Sequence, residues 1–297
     1  MIGVDWGTSS FRAYRLGPDG QVLDRASAHA GIMFVENGRF ADMLRRTIQP
    51  WVNAGERHVL LSGMIGSRQG WVEAPYKPCP AGAADLASAT IPVAYDGAEV
   101  RIVPGVTAEE AGVPEVMRGE ETQIIGALAE FGEAGLACMP GSHSKWVSVE
   151  GGRIVSFSTY MTGEAFAAFS GHTILGRMMK ADAPADPEAL RRGLARSGDP
   201  GGLLRHLFGV RALGLFGKLS ESGSASYLSG LLLGHEVRAA LAAHPDRGPV
   251  VLIGDPKLCD LYAQAIAVCG GVSRLVNYEA APAGLHRIGA SVQWTSV

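Results

Sequence analysis

Residues 4–10 read Val-Asp-Trp-Gly-Thr-Ser-Ser, an acidic residue closing an apolar strand and followed at once by a glycine and hydroxyl side chains. Gly7 would let the chain turn with φ > 0 and come close to a ligand, leaving the amides of Gly7, Thr8 and Ser9 to line an anion site. Asp5 would face the same site. A carboxylate beside a phosphate chain suits Mg²⁺, which keeps several waters and takes one or two carboxylates plus phosphate oxygens. The competing reading is an ordinary hairpin whose Asp and Thr satisfy turn amides. Arg12, one residue into the next strand, is either a contact to substrate or phosphate or half of a strand-face ion pair.

The stretch Met139–Val147, MPGSHSKWV, repeats the pattern: a strand, a turn of small donors containing Gly141 and Ser142, then Lys145 entering another strand. Lys145 would meet a terminal phosphate as a point charge or lie solvated on a strand face. His143 has no Ser/Asp partner at useful spacing and reads as a loop hydrogen-bonder. In VVLIGDPKLCDLY (250–262), Gly254 closes an apolar strand where an adenine ring could lie on bare backbone. Many strand-to-helix turns have this form without binding anything.

Arg118, Glu120 and Glu121 surround a helix start in RGEETQIIGA. One glutamate could take a proton from a hydroxyl while the arginine holds an anionic substrate. Equally, both glutamates could serve the helix N-terminus. In LSGMIGSRQGWVEAPY (61–76), the amides of Gly66 and Ser67 could receive a carboxylate. Arg68 and Arg118 are the cationic candidates for that group, and Trp71 and Tyr76 could pack on a carbon chain or belong to the core.

The elements that must carry these residues follow from periodicity. Residues 1–6, 10–16 and 21–28 read as strands, the last two joined by the turn signal Gly-Pro-Asp-Gly (17–20). Phe40, Met43, Leu44, Ile48 and Trp51 recur at helical spacing over 38–52. A buried strand is expected at 58–63, a loop-rich stretch to 82 and a strand at 101–105. A helix is expected at 120–131, three strands and a helix start across 135–164, and a long helix at 224–244. Strand–helix and strand–helix units close the chain from 249. Strand hairpins followed by helices thus occur twice.

Composition narrows the class. The 297 residues are 47% apolar and carry 26 Lys+Arg against 29 Asp+Glu, a net charge of −3 with both signs dispersed. That balance gives no footprint for nucleic acid or an anionic membrane. There is no apolar run of ~20 residues and no basic-then-apolar leader, so a cytoplasmic protein with a small-molecule ligand is expected. Cys79, Cys138, Cys259 and Cys269 form no CxxC pair and read as buried thiols.

Two phosphate-type hairpins in duplicated halves, with a Gly-turn adenosine strand, resemble the superfamily of acetate and sugar kinases, heat-shock chaperones and actin. More specifically, DWGTSSFRAY (5–14), GMIGS with GW and APY (63–76), IVPG (102–105), VMRGEETQIIGA (116–127), MPGSHSKWV (139–147), YMTGE (160–164) and SGLLLGHE (229–236) are similar to the 2-dehydro-3-deoxygalactonokinase family. The resemblance implies a two-lobed, actin-like (ribonuclease H-like) α/β ATPase fold, each lobe a mixed sheet flanked by helices, with the nucleotide between lobes. The expected division is 1–117 and 118–297, with the C-terminal helix packing back on the first lobe.

The implied reaction is ATP- and Mg²⁺-dependent phosphorylation of the 6-hydroxyl of 2-dehydro-3-deoxy-D-galactonate. Under it Asp5 organises Mg²⁺. Gly7, Thr8, Ser9, Gly141, Ser142, Lys145 and Gly254 hold ATP, and Glu120 or Glu121 takes the proton. Substrate falls to Arg12, Gly66, Ser67, Arg68, Trp71, Tyr76 and Arg118. The segments around Thr162–Glu164, Gly230 and Gly234 are expected to form the hinge. A homodimer is an allowed assembly. Two other readings stay open: an exopolyphosphatase-like hydrolase and a non-enzymatic nucleotide-driven sensor, the latter expected to need an extension for which a motif at Asp5 leaves no N-terminal room.

Overall fold

The computed structural model describes residues 1–180, 184–245 and 248–295. From the N-terminus, β1 (Ile2–Trp6), β2 (Phe11–Leu16) and β3 (Val22–Ala28) form a meander, followed by α1 (Phe40–Asn53) and β4 (His58–Ser62). Next come β5 (Lys77–Pro78), α2 (Ala83–Ser88), β6 (Ile91–Val93), β7 (Glu99–Ile102), β8 (Val106–Glu110), β9 (Val113–Met117) and α3 (Glu120–Gly126). A second meander, β10 (Ala134–Met139), β11 (Ser144–Glu150) and β12 (Arg153–Tyr160), leads into α4 (Thr162–His172), α5 (Pro187–Arg196), α6 (Gly202–Leu215) and α7 (Glu221–Ala243). The chain ends with β13 (Val250–Leu252), α8 (Pro256–Val268), β14 (Ser273–Leu275) and α9 (Ala280–Gly289).

The duplication expected from the sequence is visible in strand order. One sheet runs β3-β2-β1-β4-β7-β6, the other β12-β11-β10-β13-β14. In each, the first strand of the meander lies inside and pairs in parallel with a later strand, β1 with β4 and β10 with β13. A strand covered on both faces is apolar nearly throughout, and β1 buries Ile2, Val4 and Trp6 completely. The stretch read as loop to 82, together with 83–117, in fact holds α2, β6 and a small sheet of order β5-β8-β9. These strands are short or polar on most faces, so their periodicity was weak.

The chain forms two compact units. One comprises Met1–Ala134, Val147–Phe157 and Val276–Val297, the other Gly135–Trp146 and Ser158–Leu275. The division is therefore not a single cut at 117/118, and packing explains why α3 stays with the first unit. A Cβ on Gly126 would lie 1.8 Å from the carbonyl oxygen of Ala280, and one on Gly284 would lie 1.8 Å from that of Thr122. Two glycines thus let α3 and α9 touch backbone to backbone. Gly126→Ala is expected to destabilise the protein by about 3 kcal/mol, because forced displacement of a packed helix outweighs the ~1 kcal/mol of helix propensity that alanine adds. The midpoint of urea unfolding checks it.

In the first unit, α1 lays Phe40, Leu44, Ile48 and Trp51 on the sheet, with Met43 at the edge of the same cluster. In the second, α5 and α7 cross on Gly193 and Gly230, whose Cβ atoms would each lie 2.2 Å from a facing carbonyl oxygen. Gly230 and Gly234 therefore let α7 pack tightly against α5 and the residue that ends it, Ser197. Cys138 and Cys259 are buried, whereas Cys79 and Cys269 are only half-buried.

Candidate active site

Asp5 is the penultimate residue of β1 and is paired in register with Ser62 of β4 on one side and Arg12 of β2 on the other. The antiparallel register sets Arg12 directly beside it, with Nη1 3.8 Å from Oδ2. Burial raises the Asp5 carboxyl above its ordinary value, Arg12 pulls it down, and the nearby Glu120 carboxylate pushes it up again. Beneath it, Gly63 has φ +98°, and a Cβ there would lie 2.7 Å from the Trp6 carbonyl oxygen. Gly119, φ +107°, follows the same logic, since its Cβ would come 3.2 Å from the Gly63 Cα. The ends of β1 and β4 and the start of α3 converge only because both contact points lack side chains.

The adjoining turn differs from its expected form. Gly7 does not adopt a positive φ, and its amide donates to the Ser10 carbonyl, 2.9 Å, so it is not free to hold an anion. Thr8 and Ser9 are exposed at the tip. The turn is held from behind: the amides of Ile32 and Met33 donate to the carbonyls of Gly7 and Thr8 at 3.0 and 3.2 Å. Gly31 abuts it so closely that a Cβ would lie 2.3 Å from the Thr8 carbonyl oxygen.

The two glutamates have different surroundings. Glu121 is wholly buried; its Oε2 accepts the Gly119 N–H at 2.7 Å. Its Oε1 faces the hydroxyls of Thr122 and Ser62 at 3.1 and 3.4 Å. It fastens the α3 N-terminus to the end of β4. Burial, reinforced by Glu120, pushes its carboxyl up to about 8. Glu120 is half-buried, with Oε2 accepting the Arg118 N–H at 3.0 Å.

A titration test follows from Glu121. Between the ordinary carboxyl value and about 8 the folded chain holds a proton that the unfolded chain releases. This contribution to stability is complete at acid pH and is lost as pH rises through that window. Glu121→Gln, which stays neutral, is expected to lack this decline; urea unfolding at several pH values compares the two.

The loop 63–76 is folded on itself. The amides of Gly66 and Ser67, expected to be open donors, are occupied by the Gly63 and Met64 carbonyls at 3.1 and 3.0 Å. Arg68 points outward in an ion pair with Glu73, and Trp71 stacks on Phe40 at the core's edge. Arg118 is buried; its Nη2 donates to the Ala74 carbonyl at 2.7 Å, and its guanidinium lies 4.4 Å from the centre of the Tyr76 ring.

In the other unit, the turn Gly141–Ser142 is braced by the Glu164 amide, which donates to the Ser142 carbonyl at 3.0 Å. His143 pairs with Glu164. Lys145 is buried, its Nζ donating to Thr159 Oγ1 at 2.8 Å, so it is neither solvated nor extended from the turn. Behind it Glu236, buried in α7, accepts from Ser144, Trp146 and Tyr262 at 2.7, 2.8 and 2.9 Å. Gly254, φ +144°, is exposed. Asp255 after it caps α8 by accepting the amides of Lys257 and Leu258.

Comparison with known proteins decides the family. The 2-keto-3-deoxy-galactonokinase family matches residues 5–288. A probable 2-dehydro-3-deoxygalactonokinase of Rhizobium meliloti is 37% identical over 95% of this chain and 94% of its own length. The Escherichia coli 2-dehydro-3-deoxygalactonokinase is 31% identical over 98% of both. The chain belongs to the 2-keto-3-deoxy-galactonokinase family. The crystal structure of a candidate 2-dehydro-3-deoxygalactonokinase from Sinorhizobium meliloti superposes with TM-score 0.85 at 35% identity, over 98% of this chain and 97% of that one. At 11% identity, component A of the Acidaminococcus fermentans (R)-2-hydroxyglutaryl-CoA dehydratase, TM-score 0.53, shares the fold, covering 98% of this chain and 96% of that one. The architecture is the actin-like α/β ATPase fold.

In this chain Asp5 stands beside Arg12 and near Glu120, just before the exposed Thr8–Ser9 turn, and Arg118 adjoins the loop 63–76. Sequence reasoning missed Gly31, Gly119 and Glu236. Gly119 sits inside a motif that was singled out, and only its neighbours' charges drew attention. Glu236 also lies in a quoted motif, and a glutamate one turn after three leucines in a helix is the signal that could have marked it as a buried hydrogen-bond centre.

Proposed function

We infer that this galactonokinase-family enzyme transfers the γ-phosphoryl group of ATP to the 6-hydroxyl of 2-dehydro-3-deoxy-D-galactonate, in the cytoplasm and in galactonate breakdown. The observation that carries the reading is the half-buried pair Asp5 and Glu120 at converging strand and helix ends beside the exposed Thr8–Ser9 turn. Phosphoryl transfer asks for positioning and charge stabilisation more than for covalent chemistry. Among the described residues no group of three or more His, Cys, Asp or Glu forms a metal cage. A lone carboxylate such as Asp5 fits Mg²⁺, which takes its other ligands from phosphate and water. Bound there, the ion would offset the charge on the phosphates.

Glu120 takes the proton from the attacking hydroxyl, and the Arg118 N–H that its Oε2 accepts orients it. Glu121 has no exposure through which a hydroxyl could reach it. Thr8 and Ser9 supply phosphate donors, and Arg12 a counter-charge at Asp5. Among the described residues no helix is long and apolar enough to cross a membrane. A coupled ADP-release assay with a panel of keto-deoxy sugar acids tests the reading. ADP is expected only with a six-carbon 2-oxo acid present; phosphate release without any acid would instead support a hydrolase.

A further inference from the structure

We propose that Arg118, with the hydroxyl of Ser67, is the anchor for the carboxylate end of the substrate and so the residue that makes the enzyme select an acid over a neutral sugar. The inference rests on the kinase reading above and specifies its substrate site.

Arg118 is 8% exposed. A buried guanidinium ordinarily has a carboxylate partner, because an unpaired buried charge is costly. Arg118 has none among the described residues. One nitrogen, Nη2, reaches the Ala74 carbonyl, while Nε and Nη1 are buried without any hydrogen-bond partner. The Ser67 hydroxyl is a second buried group with no partner. It follows Gly66, whose missing Cβ would sit 3.0 Å from Arg118 Nη1. Orphaned polar atoms are few in a folded protein, and each calls for a missing ligand or a function.

The orphans also define the ligand's chemistry. Guanidinium N–H groups only donate and the serine hydroxyl is able to, so the missing partner is an acceptor, and an anionic one. A planar carboxylate meets arginine with two parallel bonds on its Nε/Nη2 side or its Nη1/Nη2 end, and either approach engages one of the two orphaned nitrogens. Tyr76 covers the guanidinium face while its own ring is 40% exposed. Binding under this proposal requires that ring to move, because Nε and Nη1 have no exposure with it in place. Arg68, the other cationic candidate, is satisfied by Glu73 at the surface. Arg118 also lies two residues from Glu120, so one short stretch carries both the group that holds the acid end and the group that takes the proton.

The experiment compares wild type, Arg118→Lys, Arg118→Gln, Ser67→Ala and, as a surface control, Arg68→Gln. Two probes are titrated calorimetrically and assayed for ADP release: 2-dehydro-3-deoxy-D-galactonate and its C1 alcohol. Wild type is expected to bind the acid far more tightly than the alcohol. Arg118→Gln is expected to weaken acid binding about 100-fold and leave alcohol binding unchanged, collapsing the preference. Arg118→Lys keeps charge and stem but loses the fork, and should fall between, with the loss in KM and not in kcat. Ser67→Ala is expected to cost about tenfold, Arg68→Gln nothing.

Retention of the acid-over-alcohol preference in Arg118→Lys and Arg118→Gln overturns the proposal, as does parallel weakening of both probes, the mark of a merely structural arginine. If the glutamine variant does not fold, the lysine variant's preference decides. Because binding is read without nucleotide, failure of wild type to release ADP would sink the kinase reading while the anchor remains decided by calorimetry.

Discussion

Asp5→Asn is expected to lower kcat by on the order of 10³-fold while the protein stays folded and still binds ADP in the absence of Mg²⁺. The substitution preserves shape and hydrogen-bonding reach. It removes a carboxylate already disfavoured by burial and by Glu120, so no large loss of stability follows. The ion pair given up is long, 3.8 Å, with Arg12 half exposed, and such pairs contribute little. Under the proposed function, what disappears is the charge that would hold Mg²⁺ beside the phosphates, a contribution of several kcal/mol to the transition state. Steady-state kinetics across a Mg²⁺ series, with ADP titration as the binding control, reads both halves. Activity within tenfold of wild type would remove Asp5 from the chemistry.

Glu120→Gln is the second large effect, a fall in kcat of about 10²–10⁴-fold with KM for both substrates nearly unchanged. Glutamine keeps an oxygen for the Arg118 N–H, bonded at 3.0 Å in the parent, so the side chain keeps its place and loses only the ability to take a proton. The neighbouring Glu121→Gln should stay within a few-fold of wild type, because its carboxyl is wholly buried and engaged with Gly119, Thr122 and Ser62. A mild Glu120→Gln beside a severe Glu121→Gln would reverse the assignment. The pair separates chemistry from architecture with one atom changed in each.

Much of the architecture was legible in residue order. The alternation and turn signal of residues 1–28, the helical spacing of Phe40 to Trp51, and the three strands read across 135–164 correspond to β1–β3, α1 and the second meander. The small sheet β5-β8-β9 was not, since Lys77–Pro78 is only two residues long and β9 is largely exposed. Locally weak strands of this kind form because a neighbour offers hydrogen bonds, and no periodicity records that.

The candidate site divides along the same line. Residue types and their order within short motifs were enough to mark Asp5, the Thr8–Ser9 turn, the Arg118–Glu121 cluster and the family resemblance, because local chemistry is written in neighbouring residues. Sequence could not separate Glu120 from Glu121, or Arg118 from Arg68, since like charges look alike along a chain. Tertiary packing separated them. The β4 end covers Glu121 with hydroxyls, Glu73 engages Arg68 at the surface, and the loop 63–76 closes around Arg118 while leaving two of its donors unmet. Whether a charge becomes a scaffold, an ornament or a ligand depends on which acceptors and how much water surround it, and that is decided only when distant segments meet.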